Sequence, residues 1–132
     1  MAGTPIPQGS KKAFVRGGRV SLVEANPGLK GWRSAVALAC KQAMLGAGVA
    51  PGQAGGFVVE LVFVFDRPKS VNRVLHVVKP DLDKLCRGVL DGVSDSGFWL
   101  GDQQVFDLWA RKRYGQPGEP AGVWVVLRHT EK

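Results

Sequence analysis

Residues 79 to 102, reading KPDLDKLCRGVLDGVSDSGFWLGD, hold five of the eleven acidic residues (Asp81, Asp83, Asp91, Asp95 and Asp102) of a chain whose formal net charge is +7. Crowded carboxylates repel, raise one another's pKa and cost stability unless a cation lies among them. Hard divalent ions such as Mg2+ are held by oxygen ligands of this kind. Bound in that way, such an ion lowers the pKa of a coordinated water and acts as a Lewis acid. The window is therefore a candidate metal-dependent site.

Spacing sharpens the case. Asp81 and Asp83 are one residue apart, which in extended backbone points both carboxylates to one side, and Pro80 biases Lys79 towards extended structure. From Leu82 onward, Leu82, Leu85, Val89 and Val93 recur at three- and four-residue steps, the period of an amphipathic helix. Asp81 then stands at the N-cap. Asp83 falls in the first turn and shares a helical face with Arg87 and Asp91 at steps of four. Asp95 belongs to the following loop, SDSGFWLG, and faces solvent. Asp102 comes after that loop and must be returned by the fold.

Other elements have to supply the frame. Residues 1 to 12 form a turn-rich entry ending in Lys11 and Lys12, read as a phosphate-contacting loop rather than a tail. Residues 13 to 24 read as a hairpin about Gly17-Gly18, with Arg16 and Arg19 flanking its tip, either as solvated charges or as grips on a phosphate backbone. A helix runs from about Leu29 to Leu45, its stripe of Trp32, Ala35, Val36, Ala39, Cys40, Ala43 and Met44 facing the core. Trp32 is read as a packing anchor. Residues 46 to 56 are a glycine-rich linker that lacks the ending of a P-loop.

FVVELVFVF, residues 57 to 65, is apolar on both faces and reads as a central strand. Glu60 is its odd residue, read as an acid near a strand edge or paired with a lysine, with a further metal ligand the lesser reading. Residues 66 to 78 bring Arg67, Lys69, Arg73 and His76 to the approach of the acidic window, as suits a chain of phosphates. His76 is read as a surface histidine, with general base the lesser reading. Residues 104 to 114 alternate as a half-buried strand: Phe106, Leu108 and Ala110 share one face, continued by Lys112, while Val105, Asp107, Trp109, Arg111 and Arg113 share the other. VWVVLR closes the sheet. The fold class is α+β, a single domain over residues 1 to 132, with a mixed β-sheet of about four to six strands packed with two main helices.

Composition bounds the function. The length of 132 residues suits one core. Two cysteines, Cys40 and Cys86, in separate helical patterns make neither a disulfide framework nor a zinc motif, which fits a reduced, cytoplasmic setting. No segment reads as a signal peptide or a membrane span. The positive balance suits a polyanionic partner, since each neutralised phosphate releases condensed counterions.

The run Lys79-Pro80-Asp81-Leu82-Asp83-Lys84-Leu85, then Val89-Leu90-Asp91-Gly92, then Trp99-Leu100-Gly101-Asp102-Gln103-Gln104-Val105 and Arg111-Lys112-Arg113-Tyr114, resembles the RusA family of Holliday-junction resolvases. The family pattern is KPDxDN, a basic residue four positions after the second Asp, a helix ending near a further Asp, and DDxQV. The entry phrase Pro5 to Lys11 also resembles phage members. Lys84 stands where the family usually has Asn, Arg87 where it has Lys, and Gly101 where it has the first Asp of DD.

The resemblance implies a small Mg2+-dependent endonuclease of bacterial or phage-infected cells, with no small-molecule cofactor; the choice between Mg2+ and Mn2+ stays open. It implies that Asp81, Asp83 and Asp102 hold the metal and that Arg87 takes the functional basic position, clamping the scissile phosphate. The alternative for Arg87 is a surface ion pair with Asp83, worth about 0.3 to 0.5 kcal/mol. Asp91 either extends the metal site or pairs with Arg87, and Lys112 is a possible auxiliary directed at the site. Lys11, Lys12, Arg16, Arg19, Arg73, Lys79 and Lys84 are the DNA-binding candidates. A four-way junction has two-fold symmetry, so the partners expected are branched DNA and a second copy of the chain, with no membrane. Two other readings stand beside junction resolution: a branched-DNA nuclease without four-way preference, and a basic DNA-binding module whose nuclease activity is lost.

Overall fold

The structure is a computed structural model that describes the backbone of residues 14–15, 18–24 and 29–130 and the side chains of residues 31–130. Lys11, Lys12 and Arg16 lie outside the described residues, as does the entry loop, and of Arg19 only the backbone position is described. In chain order the elements are β1 (Phe14–Val15), β2 (Gly18–Glu24), α1 (Leu29–Ala47), β3 (Gly56–Phe65), α2 (Leu82–Asp95), a single 3-10 turn (Asp102–Gln104), β4 (Val105–Tyr114) and β5 (Gly122–Thr130). The five strands form one mixed sheet in the order β1-β2-β5-β3-β4.

All neighbours pair antiparallel except β3 and β4. Parallel neighbours need a crossover connection, and here the crossover is the chain from Asp66 to Gln104, with α2 inside it. The sheet's architecture thus places the acidic helix beside edge strand β4. β1 and β2 pair antiparallel as the hairpin reading expects, and Gly18 pairs with Val15 as the first residue of β2, so it belongs to the strand.

One core joins both helices to one face of the sheet. Trp32 and Val36 of α1 and Leu85, Val89 and Val93 of α2 pack with Phe57, Val59, Leu61 and Phe63 of β3 and with Val123, Val125 and Leu127 of β5. Trp32 meets Phe63 edge-on at 5.8 Å between ring centroids, the packing role its spacing predicts. α1 ends where Gly48 takes φ of +68°, with the Val49 amide donating to the Met44 carbonyl at 2.9 Å, a glycine-terminated helix end. The two helices cross closely at Gly92: a Cβ there would stand 2.7 Å from the Arg33 carbonyl oxygen and 2.8 Å from Val36 Cβ. The second half of α2 is thereby occupied by α1, while Leu38 and Leu45 on α1 stay exposed.

β3 lies between β5 and β4, as its apolar run predicts. Its second face is less covered than expected: Val58, Glu60 and Val62 are half-buried, and no helix among the described residues lies over them. β4 departs further from the half-buried reading, because it is an edge strand. Its register against β3 shifts between Phe57 and Val58, which leaves Phe106 unpaired. Phe106, Leu108 and Trp109 are all exposed. Beyond that shift the expected alternation holds, with Leu108, Ala110 and Lys112 opposite the core-facing Val59, Leu61 and Phe63.

Candidate active site

Asp81 occupies the N-cap of α2 with extended backbone, φ −69° and ψ 138°, but its carboxylate makes no capping hydrogen bond. It lies instead 3.7 Å from Lys84 Nζ, an exposed pair. Asp83 is already inside the first helical turn, so the two acids do not share the same-side relation of an extended strand.

Asp83, Arg87 and Asp91 line one wall of an open depression of about 840 Å³. Leu108 and Ala110 of β4 and Asp102 also line it. Sequence neighbours at steps of four and a residue from beyond the loop therefore meet at one place. The Asp83–Arg87 surface pair is not formed, and Arg87 makes no ion pair among the described residues. Asp91 is drawn to α1 instead, with Arg33 Nη1 at 3.8 Å. Asp95 ends the helix rather than lying in the loop, and it is held by two Arg33 nitrogens at 2.5 and 3.0 Å. The Arg33 guanidinium keeps the Asp95 carboxyl below the usual carboxylate range. Arg87 lines the depression without an ion-pair partner among the described residues.

The loop after α2 is an anchored return. Gly97 takes φ of +81°, and Phe98 and Trp99, both buried, pack on Phe57 at 5.3 and 5.5 Å between centroids. Trp99 Nε1 also donates to Ser94 Oγ at 2.7 Å. Gln104 completes the turn: its Oε1 accepts from the Leu100 and Gly101 amides at 2.6 and 2.9 Å, and its Nε2 donates to the Gln53 and Gly55 carbonyls, each at 2.9 Å. That glutamine fixes where Asp102 begins. Sequence reading left it without a role, though its place in the DDxQV pattern was the available signal.

Lys112 is directed at the same region. Its Nζ donates to the carbonyl oxygens of Val78 and Pro80 at 2.5 and 2.9 Å, tying the segment before Asp81 to β4. His76 is neither a surface residue nor placed as a base. It is buried, stacked on Phe65 at 4.4 Å and against Tyr114 at 4.9 Å, and burial first, then Lys112 and Arg73, lower its pKa. Arg73 donates to the Tyr114 hydroxyl at 3.3 Å. Lys79 and Lys84 are exposed on either side of Asp81. Glu60 pairs with an arginine and not with the lysine expected, Arg128 at 2.8 Å on neighbouring β5, and its strand is interior to the sheet.

Oxygen donors alone suit a hard divalent cation, and Asp83 and Asp102 at one depression are such donors. Among the described residues no three His, Cys, Asp or Glu side chains stand close enough to form a ready-made metal group. The cysteines are free, with Cys40 pushed up to about 12 by burial and Cys86 raised by burial and by the nearby Asp83; neither thiol is poised as a nucleophile. No helix among the described residues is long and apolar enough to cross a membrane.

The sequence is similar over residues 2–125 to the family model described as endodeoxyribonuclease RusA. No curated protein matches the chain.

Proposed function

The chain belongs to the RusA family of endodeoxyribonucleases, and from that premise we propose that it resolves four-way DNA junctions by metal-dependent, paired phosphodiester hydrolysis as a homodimer. The observation that carries this reading is the meeting of Asp83, Arg87 and Asp102 around one open depression, with Arg87 in no ion pair among the described residues.

Asp83 and Asp102, with Asp81 at the helix N-cap, are the residues that would hold Mg2+, or Mn2+ in its place. When bound, the ion supplies a more acidic water and charge stabilisation at the phosphoryl oxygens. Arg87 presents a planar fork of donors that matches phosphate oxygens. It therefore orients and stabilises the phosphate. Lys79, Lys84 and Arg73 supply positive charge along the approach. Three carboxylates without a cation would repel a polyanion, so ion binding precedes productive DNA binding.

A second reading, a DNA-binding module without nuclease activity, is favoured by two observations: Gly101 replaces an acid of the family pattern, and the three acids are not gathered as a ready-made group. Cleavage separates the readings. Wild type and Asp83→Asn are incubated with a mobile-core four-way junction and a matched linear duplex, with Mg2+ or EDTA. Symmetric nicking of the junction by wild type in Mg2+ alone, with Asp83→Asn binding but not cutting, supports resolution. Equal cutting of forks and flaps makes it a broader branched-DNA nuclease. Binding without any cleavage in Mg2+ or Mn2+ makes it a module.

A further inference from the structure

The connection between β3 and α2 carries an unexpected surface. Val74, Leu75, Val77 and Val78 are 78, 69, 68 and 45% exposed, four aliphatic side chains around the single buried residue His76. Contiguous apolar surface of this kind on a soluble protein marks a binding site. The segment is also held from several directions. His76 is pinned between Phe65 and Tyr114. The Arg67 guanidinium lies 4.5 Å over the Tyr114 ring and donates to the Arg73 carbonyl. Lys112 grips the carbonyls of Val78 and Pro80. The ties turn the backbone and His76 inward and leave the aliphatic side chains outward, so the crest is built before any partner arrives.

Two features identify what covers it. Residues 66 to 79 carry Arg67, Lys69, Arg73 and Lys79 against one acid, Asp66, so the rim suits a polyanion. A second copy meeting the same patch about a two-fold axis would set these cations against their own kind. The crest also runs straight into the site, since Val78 precedes Asp81 by three residues, a span of at most roughly 10 Å. Aliphatic side chains inserted between bases unstack them and hold distorted DNA, and the cost is least where stacking is already interrupted.

We propose that Val74, Leu75 and Val77 form an apolar wedge that enters the unstacked bases at a DNA branch point, setting the preference for branched over linear DNA while the flanking cations hold the arms. The proposal rests on the nuclease reading for the place of the cut and not for the insertion itself.

The test uses the full chain in EDTA, as wild type, as the Val74→Ser, Leu75→Ser double variant, and as Val77→Ser. The probes are a four-way junction with 2-aminopurine beside the branch point and a linear duplex with the same label. Wild type should raise the fluorescence of the junction and not of the duplex. The double variant should lose most of that rise and bind the junction about tenfold more weakly, the order expected when a buried aliphatic side chain is returned to water, with duplex affinity within about twofold of wild type; Val77→Ser should follow in the same direction. Equal junction binding and fluorescence for all three proteins overturns the proposal, as does an equal loss on junction and duplex. A wild-type dimer that dissociates in the variants by sedimentation overturns it in favour of a second copy as occupant. If wild type cuts nothing in Mg2+ but the fluorescence difference holds, the nuclease reading falls and the wedge stands. If wild type resolves junctions with no fluorescence change, the wedge alone falls.

Discussion

Lys112 on edge strand β4 donates from Nζ to the carbonyl oxygen of Pro80 at 2.9 Å, so the residue immediately before the first acid is tied to a strand that lines the site. A second bond to Val78 makes the tie a fork. A lysine in this position is spent on backbone oxygens and not on phosphate.

Lys112→Met should therefore lower the cleavage rate by an order of magnitude or more through misplacement of Asp81, and cost about 1 to 3 kcal/mol of stability through the lost charge-assisted bonds. The slope of log Kd against log salt for linear duplex should not change. A phosphate contact would instead reduce that slope by about 1, so the slope discriminates a positioning residue from a DNA contact.

Gly101 sits in extended backbone, φ 179°, and the atoms that a Cβ would meet belong to the Gln103 side chain, whose Oε1 would stand at 2.1 Å. The end of a flexible exposed side chain can move aside. Gly101→Asp should fold as wild type and add a carboxylate next to Asp102, lowering the Mg2+ concentration for half-maximal cleavage several-fold. A metal titration of junction cleavage measures this; an unchanged midpoint would mean that position 101 does not face the ion.

Gly92 is the contact point of the helices. Gly92→Ala sets a methyl group against the Arg33 carbonyl and Val36 Cβ at under 3 Å, a clash with backbone that only a helix shift relieves. Overpacking of this kind costs about 1 to 3 kcal/mol, larger than the helix-propensity gain of up to about 1 kcal/mol. Urea unfolding should show a lower midpoint with an unchanged slope. A higher midpoint would mean that the helices part without cost.

His76 is held neutral, its pKa below the ordinary value of about 6.5. The unfolded chain binds this proton more readily than the folded one, so the stability from the buried neutral ring is fully present above about pH 6.5 and declines as pH falls below it. His76→Phe keeps an aromatic ring between Phe65 and Tyr114 and should flatten this part of the stability profile. Urea midpoints at pH 5.5 and 7.5 for both proteins provide the check, and a wild-type loss that persists undiminished in His76→Phe would assign it to another group.

Much of this protein was legible because its signals are local. The three- and four-residue recurrence of Leu82, Leu85, Val89 and Val93 needs only the helical period, and the last three are fully buried. The double-faced apolar run of β3 likewise marked an interior strand, and five strands with two helices fall within the α+β fold expected. The acids and Arg87 stood out by residue type and spacing. Pairing across the chain had no such signal. Arg33 and Asp95 are 62 residues apart and Lys112 and Val78 are 34 apart, and no periodicity tells which of eighteen cations will reach which oxygen. His76 could be called a surface residue because burial depends on Phe65 and Tyr114, which close on it only when β3 and β4 pair. The same pairing made β4 an exposed edge, since a parallel neighbour is set by the crossover and not by the strand's own alternation. Sequence determined which side chains could do the chemistry; the return of Asp102 on Phe98, Trp99 and Gln104, and the capture of Asp95 by Arg33, were decided by tertiary contacts.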